Sequence, residues 1–127
     1  LSADRIGHGI RVMEQESVSA LASEHGTAFE VCVTSNYQTG AVPSLSEHPL
    51  AGMLMAGINV TLNTDDPSIS QITLSNEYQV AHRDLGLPLS EIKARVLAAA
   101  QAAFLPPEEK QALVEHLKTE LQSLPLE

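Results

Sequence analysis

Three short apolar runs, separated by gaps of helix length, constrain this chain more than any other feature. They are "RIGHG" at 5–9, "TAFEVCV" at 27–33 and "NVTL" at 59–62. Between the first two, "VMEQESVSALASEHG" reads as a helix. Val18, Leu21 and Ala22 share a face there, and Gly26 suits a left-handed stop. After the second run, "TSNYQTGAVPS" reads as a loop rich in turn residues. "EHPLAGMLMAG" then reads as a helix, with Pro49 in its first turn and Gly57 beyond its end. Antiparallel hairpins need tight turns, whereas here each gap holds a helix. The pattern therefore predicts an α/β fold, a parallel sheet with helical crossovers. Past residue 70 the chain reads as helical throughout. "TLSNEYQVAHRDLG" closes at Gly86. "SEIKARVLAAAQAAF" carries Ile92, Val96, Ala100 and Ala103 on one stripe, and "PEEKQALVEHLKTEL" carries Leu113, Leu117 and Leu121. Both stripes read as core faces. Glu108 and Glu109 fall in a first turn, where the helix dipole favours them.

Function in parallel α/β sheets gathers at the carboxyl edge, where strands end and loops begin. The first run delivers His8 there, the second Thr34, Ser35 and Asn36, the third Asn63, Asp65 and Asp66. One imidazole, a hydroxyl cluster and two carboxylates thus share a face by topology alone. Each residue also has a plainer reading. Asp66 before Pro67 has the form of a helix N-cap followed by a first-turn proline. His8, between two glycines, has the form of a turn residue. His25 and His82 read as helix-surface residues, His116 as solvated, and His48, before Pro49, as structural. Two adjacent carboxylates repel each other unless a cation or water intervenes, and a bound metal would relieve them. Zinc takes about three or four protein ligands. This chain offers one plausible carboxylate and no His-x-His, HExxH or CxxC pattern.

Charge and composition exclude some classes. A formal net charge of −9 argues against binding a nucleic-acid backbone. No run approaches the length of a membrane span, and "LSADRIGHG" lacks the apolar core of a signal peptide. The single cysteine, Cys32, lies in an apolar run and reads as a buried, inert thiol. A cytoplasmic setting is expected. A small doubly wound nucleotide-binding domain is excluded, because no glycine-rich phosphate loop follows a strand and "GHG" is too short to be one. At 127 residues the chain has room for one domain with a core.

Taken together these motifs resemble the adenosine deaminase family, of the amidohydrolase barrel type. "RIGHG" is similar to its histidine-bearing strand end. "EVCVTSNYQTGAV" is similar to the next strand and loop, with Val33 where proline is usual. "HPLAGMLMAGINVTLNTDDPSIS" is similar to the last strand with its paired aspartates, and "LSNEYQVAHRDLGL" and "AAFLPPEEKQAL" to the closing helices. The resemblance implies a zinc hydrolase that removes the 6-amino group of adenosine, giving inosine and ammonia. It implies that Asp65 ligates zinc and holds the hydroxide, that Asp66 contacts the purine at N7, and that His8 orients the attacking hydroxide. It places Glu30 and Ser35 behind these groups, steadying His8 and Asp66. Such barrels typically need about 250 residues, so residues 1–127 are expected to form the C-terminal part of a single (β/α)8 TIM-type barrel. About three parallel strand units and the closing helices would be present. The His-x-His pair, a further histidine and the general-acid glutamate of the family have no counterpart here. The isolated piece is therefore expected to be inactive, to retain zinc poorly, and to self-associate through its exposed sheet edges. Two alternatives stand beside adenosine deamination: action on adenine or another 6-aminopurine, and a non-catalytic half-barrel interaction module.

Overall fold

The computed structural model describes residues 2–125; positions 1, 126 and 127 of the expected unit lie outside the described residues. Strands β1 (Arg5–Gly7), β2 (Ala28–Val31) and β3 (Asn59–Leu62) form one sheet in the order β1-β2-β3, with both pairings parallel. Helix α1 (Glu16–His25) crosses from β1 to β2 after a 3-10 turn at Ile10–Glu14. Helices α2 (Val33–Gln38) and α3 (Leu50–Met55) cross from β2 to β3, with a 3-10 turn at Leu45–Glu47 between them. After β3 come α4 (Pro67–Ser70), α5 (Leu74–Arg83), α6 (Leu89–Ala102) and α7 (Pro107–Ser123).

The register sorts the two faces of the sheet. Ile6 lies beside Phe29 and Phe29 beside Val60, while Val31 pairs with Leu62. Phe29, Val31, Val60 and Leu62 point into the core, where Leu50 and Met53 of α3, Ile10, Ala81 and Ile92 join them. The alternate residues face the other way, and among them Arg5 and Glu30 carry charge. Arg5 Nε lies 3.3 Å from Glu30 Oε1, and the Arg5 guanidinium stacks 3.8 Å above the ring of Phe104. Helix α6 packs along β3 and against α7. Lys93 of α6 donates to the carbonyls of Leu121 (2.7 Å) and Leu124 (2.6 Å), satisfying acceptors at the end of α7.

Three helical faces differ from expectation. Val18 and Leu21 of α1 are exposed, whereas Ser19 is buried and Ala22 half-buried. The small residues are the ones that face inward, and Ser23 donates to Gly57 O, just before β3, at 3.1 Å. On α7, Val114 is the buried residue and Leu113, Leu117 and Leu121 flank it, half-buried. On α6, Ile92 and Ala100 are buried as expected, but Ala103 lies past the last turn as the C-cap.

The stretch expected as a loop from Thr34 begins instead with α2, and β2 stops at Val31 rather than Val33. Thr, Ser and Asn favour turns, so local propensity hides this helix. A distant partner fixes it. Glu77 of α5, with no exposed surface, accepts from the Thr34 N–H through both carboxylate oxygens at 3.3 Å. A carboxylate at this end is also favoured by the helix dipole. His48 plays the corresponding part before α3. It is buried, and its Nδ1 accepts from the Leu50 N–H at 3.1 Å. Burial pushes the imidazole down to about 4 from its ordinary 6.5.

Two outcomes are expected. Glu77→Ala strands the Thr34 donor and should cost roughly 2–3 kcal/mol in urea unfolding, with Glu77→Gln milder because one acceptor survives. For His48 the unfolded chain binds a proton between pH 6.5 and about 4 that the folded chain refuses. Stability should therefore fall as pH drops through that window, by at most about 3 kcal/mol from this group. Urea midpoints at pH 7 and pH 5 should show a shallower loss in His48→Gln.

Candidate active site

Two residues in left-handed backbone geometry carry the candidate chemistry. His8 follows β1 with φ 52, and Asp65 follows β3 with φ 62. Each strand first runs one hydrogen bond past its end: the His8 N–H donates to Glu30 O at 3.0 Å, and the Asn63 N–H to Val31 O at 2.9 Å. The chain then turns sharply. At Gly9, φ 68, a Cβ would lie 2.5 Å from Phe29 Cδ1, so only glycine leaves room for the core ring beneath His8. A non-glycine residue with positive φ is uncommon, and His and Asp are among those that tolerate it. The third such residue among the described ones, Gln71, ends α4 as its C-cap.

These turns bring three strand ends together. Asp65 Oδ2 lies 3.6 Å from His8 Nε2 and accepts from Ser35 Oγ at 2.7 Å. Among the described residues nothing donates to Asp65 Oδ1. Ser35 is buried in α2, whereas the His8 and Asp65 side chains keep 41% and 46% of their surface. The pair is therefore anchored from behind and open in front. On the other side of the ring, His8 Nδ1 lies 3.2 Å from Asn36 Nδ2, and Asn36 is buried. His8 and Asp65 line two open cavities. One, of about 510 Å³, also takes in Glu30, Asn63 and Tyr78; the other, of about 390 Å³, takes in Ser35, Asn36 and Thr39.

The remaining expected residues sit as follows. Asp66 is exposed and caps α4, its Oδ1 accepting from the Ser68 and Ile69 N–H groups at 3.0 Å each, with Pro67 in the first turn. That is the plainer role read from the sequence, and Oδ2 accepts from no described residue. Glu30 supports His8 through its backbone carbonyl, while its side chain turns to Arg5. Ser35 holds Asp65, not the His8 and Asp66 it was expected to steady, because α2 aims its hydroxyl at the turn after β3. Cys32 is buried, and burial pushes its thiol up to about 12, with the charges of Asp65 and Glu77 adding to the effect. It is inert as a nucleophile at neutral pH.

The sequence puts Asn36 in a hydroxyl cluster and His48 at a helix start, with nothing to join them. The structure does join them: His48 Nε2 lies 3.0 Å from Asn36 Oδ1. Eleven residues, comprising the end of α2, a turn and a 3-10 segment, separate the two, and no periodic signal spans that distance. Glu77 was missed because a charged residue in a polar helix turn reads as solvated.

As to metal, no group of three or more His, Cys, Asp or Glu gathers among the described residues. Zinc needs three or four ligands. Asp65 suits one of those places: one oxygen is held by Ser35 and the other is free. The described residues thus fit as one wall of a zinc site and not as a whole one.

The family model for adenosine deaminase matches residues 1–120. The chain is 42% identical to the adenosine deaminase of Serratia proteamaculans and 43% identical to that of Edwardsiella ictaluri, in each case over 89% of this chain and 34% of the relative. It spans about a third of the length of the curated relatives it matches. Among solved structures it superposes on the adenine deaminase of Arthrobacter aurescens with a TM-score of 0.89 at 28% identity, covering 94% of this chain and 37% of that one. It superposes on arabidopsis ADAL complexed with IMP with a TM-score of 0.84 at 31% identity, covering 95% and 35%. Three parallel strands with helical crossovers are what a segment of a TIM-type barrel presents. The chain belongs to the adenosine deaminase family.

Proposed function

We propose that residues 1–127 are the C-terminal part of a barrel that hydrolyses adenosine to inosine and ammonia, with zinc as its metal. The observation that carries this reading is the His8–Asp65 pair: an imidazole nitrogen 3.6 Å from a carboxylate that keeps one oxygen free, at an edge open to a cavity. Bound zinc would lower the pKa of a water it holds to about 7 and so supply a nucleophile at neutral pH.

The chain's own residues take the remaining tasks. Asp65 offers Oδ1 as a metal ligand while Ser35, donating to Oδ2, stops the carboxylate from rotating. A ligand steadied in this way binds more tightly than a free one. His8 presents Nε2 to the attacking oxygen, orienting it toward C6 of the purine and stabilising negative charge on that oxygen. Asp66 keeps Oδ2 for the purine while Oδ1 caps α4, so the helix positions the carboxylate. Purine N7 is an acceptor, so that contact needs a proton held between the two atoms. The other metal ligands and the general acid would come from barrel strands outside this chain. Alone, the chain would be inactive and would tend to associate through the outer edge of β1.

Adenosine ranks above adenine because identity to named adenosine deaminases is 42–43%, against 28% to the adenine deaminase. Adenine is kept as the second reading by the close superposition on that enzyme. No described helix is long and apolar enough to cross a membrane; a cytoplasmic setting is part of this proposal.

The test joins the chain to the complementary segment of the Serratia proteamaculans enzyme and loads the barrel with zinc. Adenosine should be turned over in preference to adenine. Asp65→Ala should lose the metal and the activity together. His8→Ala should keep the metal and lower kcat by roughly 10²–10⁴-fold, the range for a positioned proton-handling group. Undiminished turnover by Asp65→Ala, or turnover by the 127-residue chain alone, would contradict the proposal.

A further inference from the structure

Behind His8 lies a chain of buried polar groups that the roles above do not use. It runs from the Leu50 N–H to His48 Nδ1 (3.1 Å), from His48 Nε2 to Asn36 Oδ1 (3.0 Å), from Asn36 Nδ2 to His8 Nδ1 (3.2 Å), and from His8 Nε2 to Asp65 (3.6 Å). His48 is 7% exposed and Asn36 4%. Asn36 lines the smaller cavity and His48 lies behind it, and both cost folding energy unless every bond is made.

The direction of each bond follows from its fixed end. A peptide N–H can only donate, so His48 Nδ1 must carry a lone pair. A neutral imidazole with a bare Nδ1 carries its proton on Nε2, so His48 donates to Asn36. Asn36 must then turn its oxygen to His48 and its amide nitrogen to His8. An amide nitrogen only donates, so His8 Nδ1 accepts and the ring proton sits on Nε2, facing Asp65. One peptide group in α3 thus determines, across two side chains, which nitrogen of His8 is protonated. Burial also keeps His48 neutral at physiological pH, which holds the direction of the relay constant.

We propose that His48 and Asn36 are positioning residues that hold His8 in the Nε2–H tautomer, so that it meets the reacting oxygen as a hydrogen-bond donor. The assignment rests on the deaminase reading only for its catalytic consequence. The tautomer itself is independent of turnover. A donor at that place stabilises charge developing on the oxygen, whereas a bare Nε2 beside the Asp65 carboxylate would set two acceptors against each other.

The test has two arms. In the first, the 127-residue chain is labelled with ¹⁵N-histidine, and long-range ¹H–¹⁵N correlations at pH 8 identify which ring nitrogen of His8 bears hydrogen. The wild type should show protonated Nε2 and bare Nδ1 in both His8 and His48. Asn36→Asp keeps the shape of the side chain but puts acceptors on both sides, so His8 should acquire a proton on Nδ1. His48→Leu frees the Asn36 amide to flip, so His8 should become a mixture of tautomers. His48→Gln, whose amide can still donate to Asn36 Oδ1, should restore the single form. In the second arm the same variants are placed in the joined barrel. His48→Leu should lower kcat about tenfold with KM little changed, in the range seen when groups behind a catalytic residue are removed, and His48→Gln should recover most of the loss. A wild-type His8 with bare Nε2, or a His8 tautomer unmoved by both Asn36→Asp and His48→Leu, would overturn the proposal. Inactivity of every barrel, with the tautomer responses intact, would count against the deaminase reading and leave the relay standing.

Discussion

Parallel pairing of three strands is the constraint from which the rest of this structure follows. It puts the carboxyl ends of β1, β2 and β3 on one edge, so residues 8, 35, 36 and 65 meet although 57 positions separate the first from the last. The left-handed turns at His8 and Asp65 complete the work. Without them the strands would deliver their side chains along the sheet instead of toward each other. Backbone strain of this kind costs of order 1 kcal/mol or more per residue and survives only where surrounding structure enforces it. Here the enforcement is visible: one extra ladder bond beyond each strand, Phe29 packed under Gly9, and Ser35 on the Asp65 carboxylate.

Buried polar groups form the second tier of organisation. Glu77 ties α5 to the start of α2, and His48 ties the start of α3 to the middle of α2. The short helix α2 is held at both points, and it is the element that presents Ser35 to Asp65 and Asn36 to His8. An apolar core alone would fix the sheet and leave α2 free to shift. Satisfied buried hydrogen bonds are directional, and a wrong arrangement strands a donor or acceptor at a cost of about 1–3 kcal/mol. That penalty is what converts a packed fold into a site with defined bond directions.

Much of the fold was legible in the sequence because its signals are local. Strand-length apolar runs with helix-length gaps specified the parallel sheet, and Gly26 and Gly57 marked helix ends. The meeting of His8 with Asp65 followed from topology. What was not legible depends on contacts between residues far apart in the chain. Helix α2 is hidden because Thr34, Ser35 and Asn36 favour turns locally and are overruled by a carboxylate 43 residues away. The face of α1 reads differently in the sequence because Val18 and Leu21 are the larger apolar residues, yet it is the small Ser19, Ala22 and Ser23 that turn inward. The family likeness singled out the paired aspartates, but that Asp65 meets Ser35 while Asp66 caps α4 needed coordinates.

A carboxylate with one oxygen pinned and one left free makes sense as a metal ligand whose companions lie elsewhere in a complete barrel. Anomalous diffraction at the zinc edge from crystals of the joined, metal-loaded barrel addresses this directly. The account requires a peak within zinc–carboxylate distance, about 2.0–2.2 Å, of Asp65 Oδ1, with Ser35 still on Oδ2. A fully occupied zinc in that barrel bound away from Asp65 would contradict it.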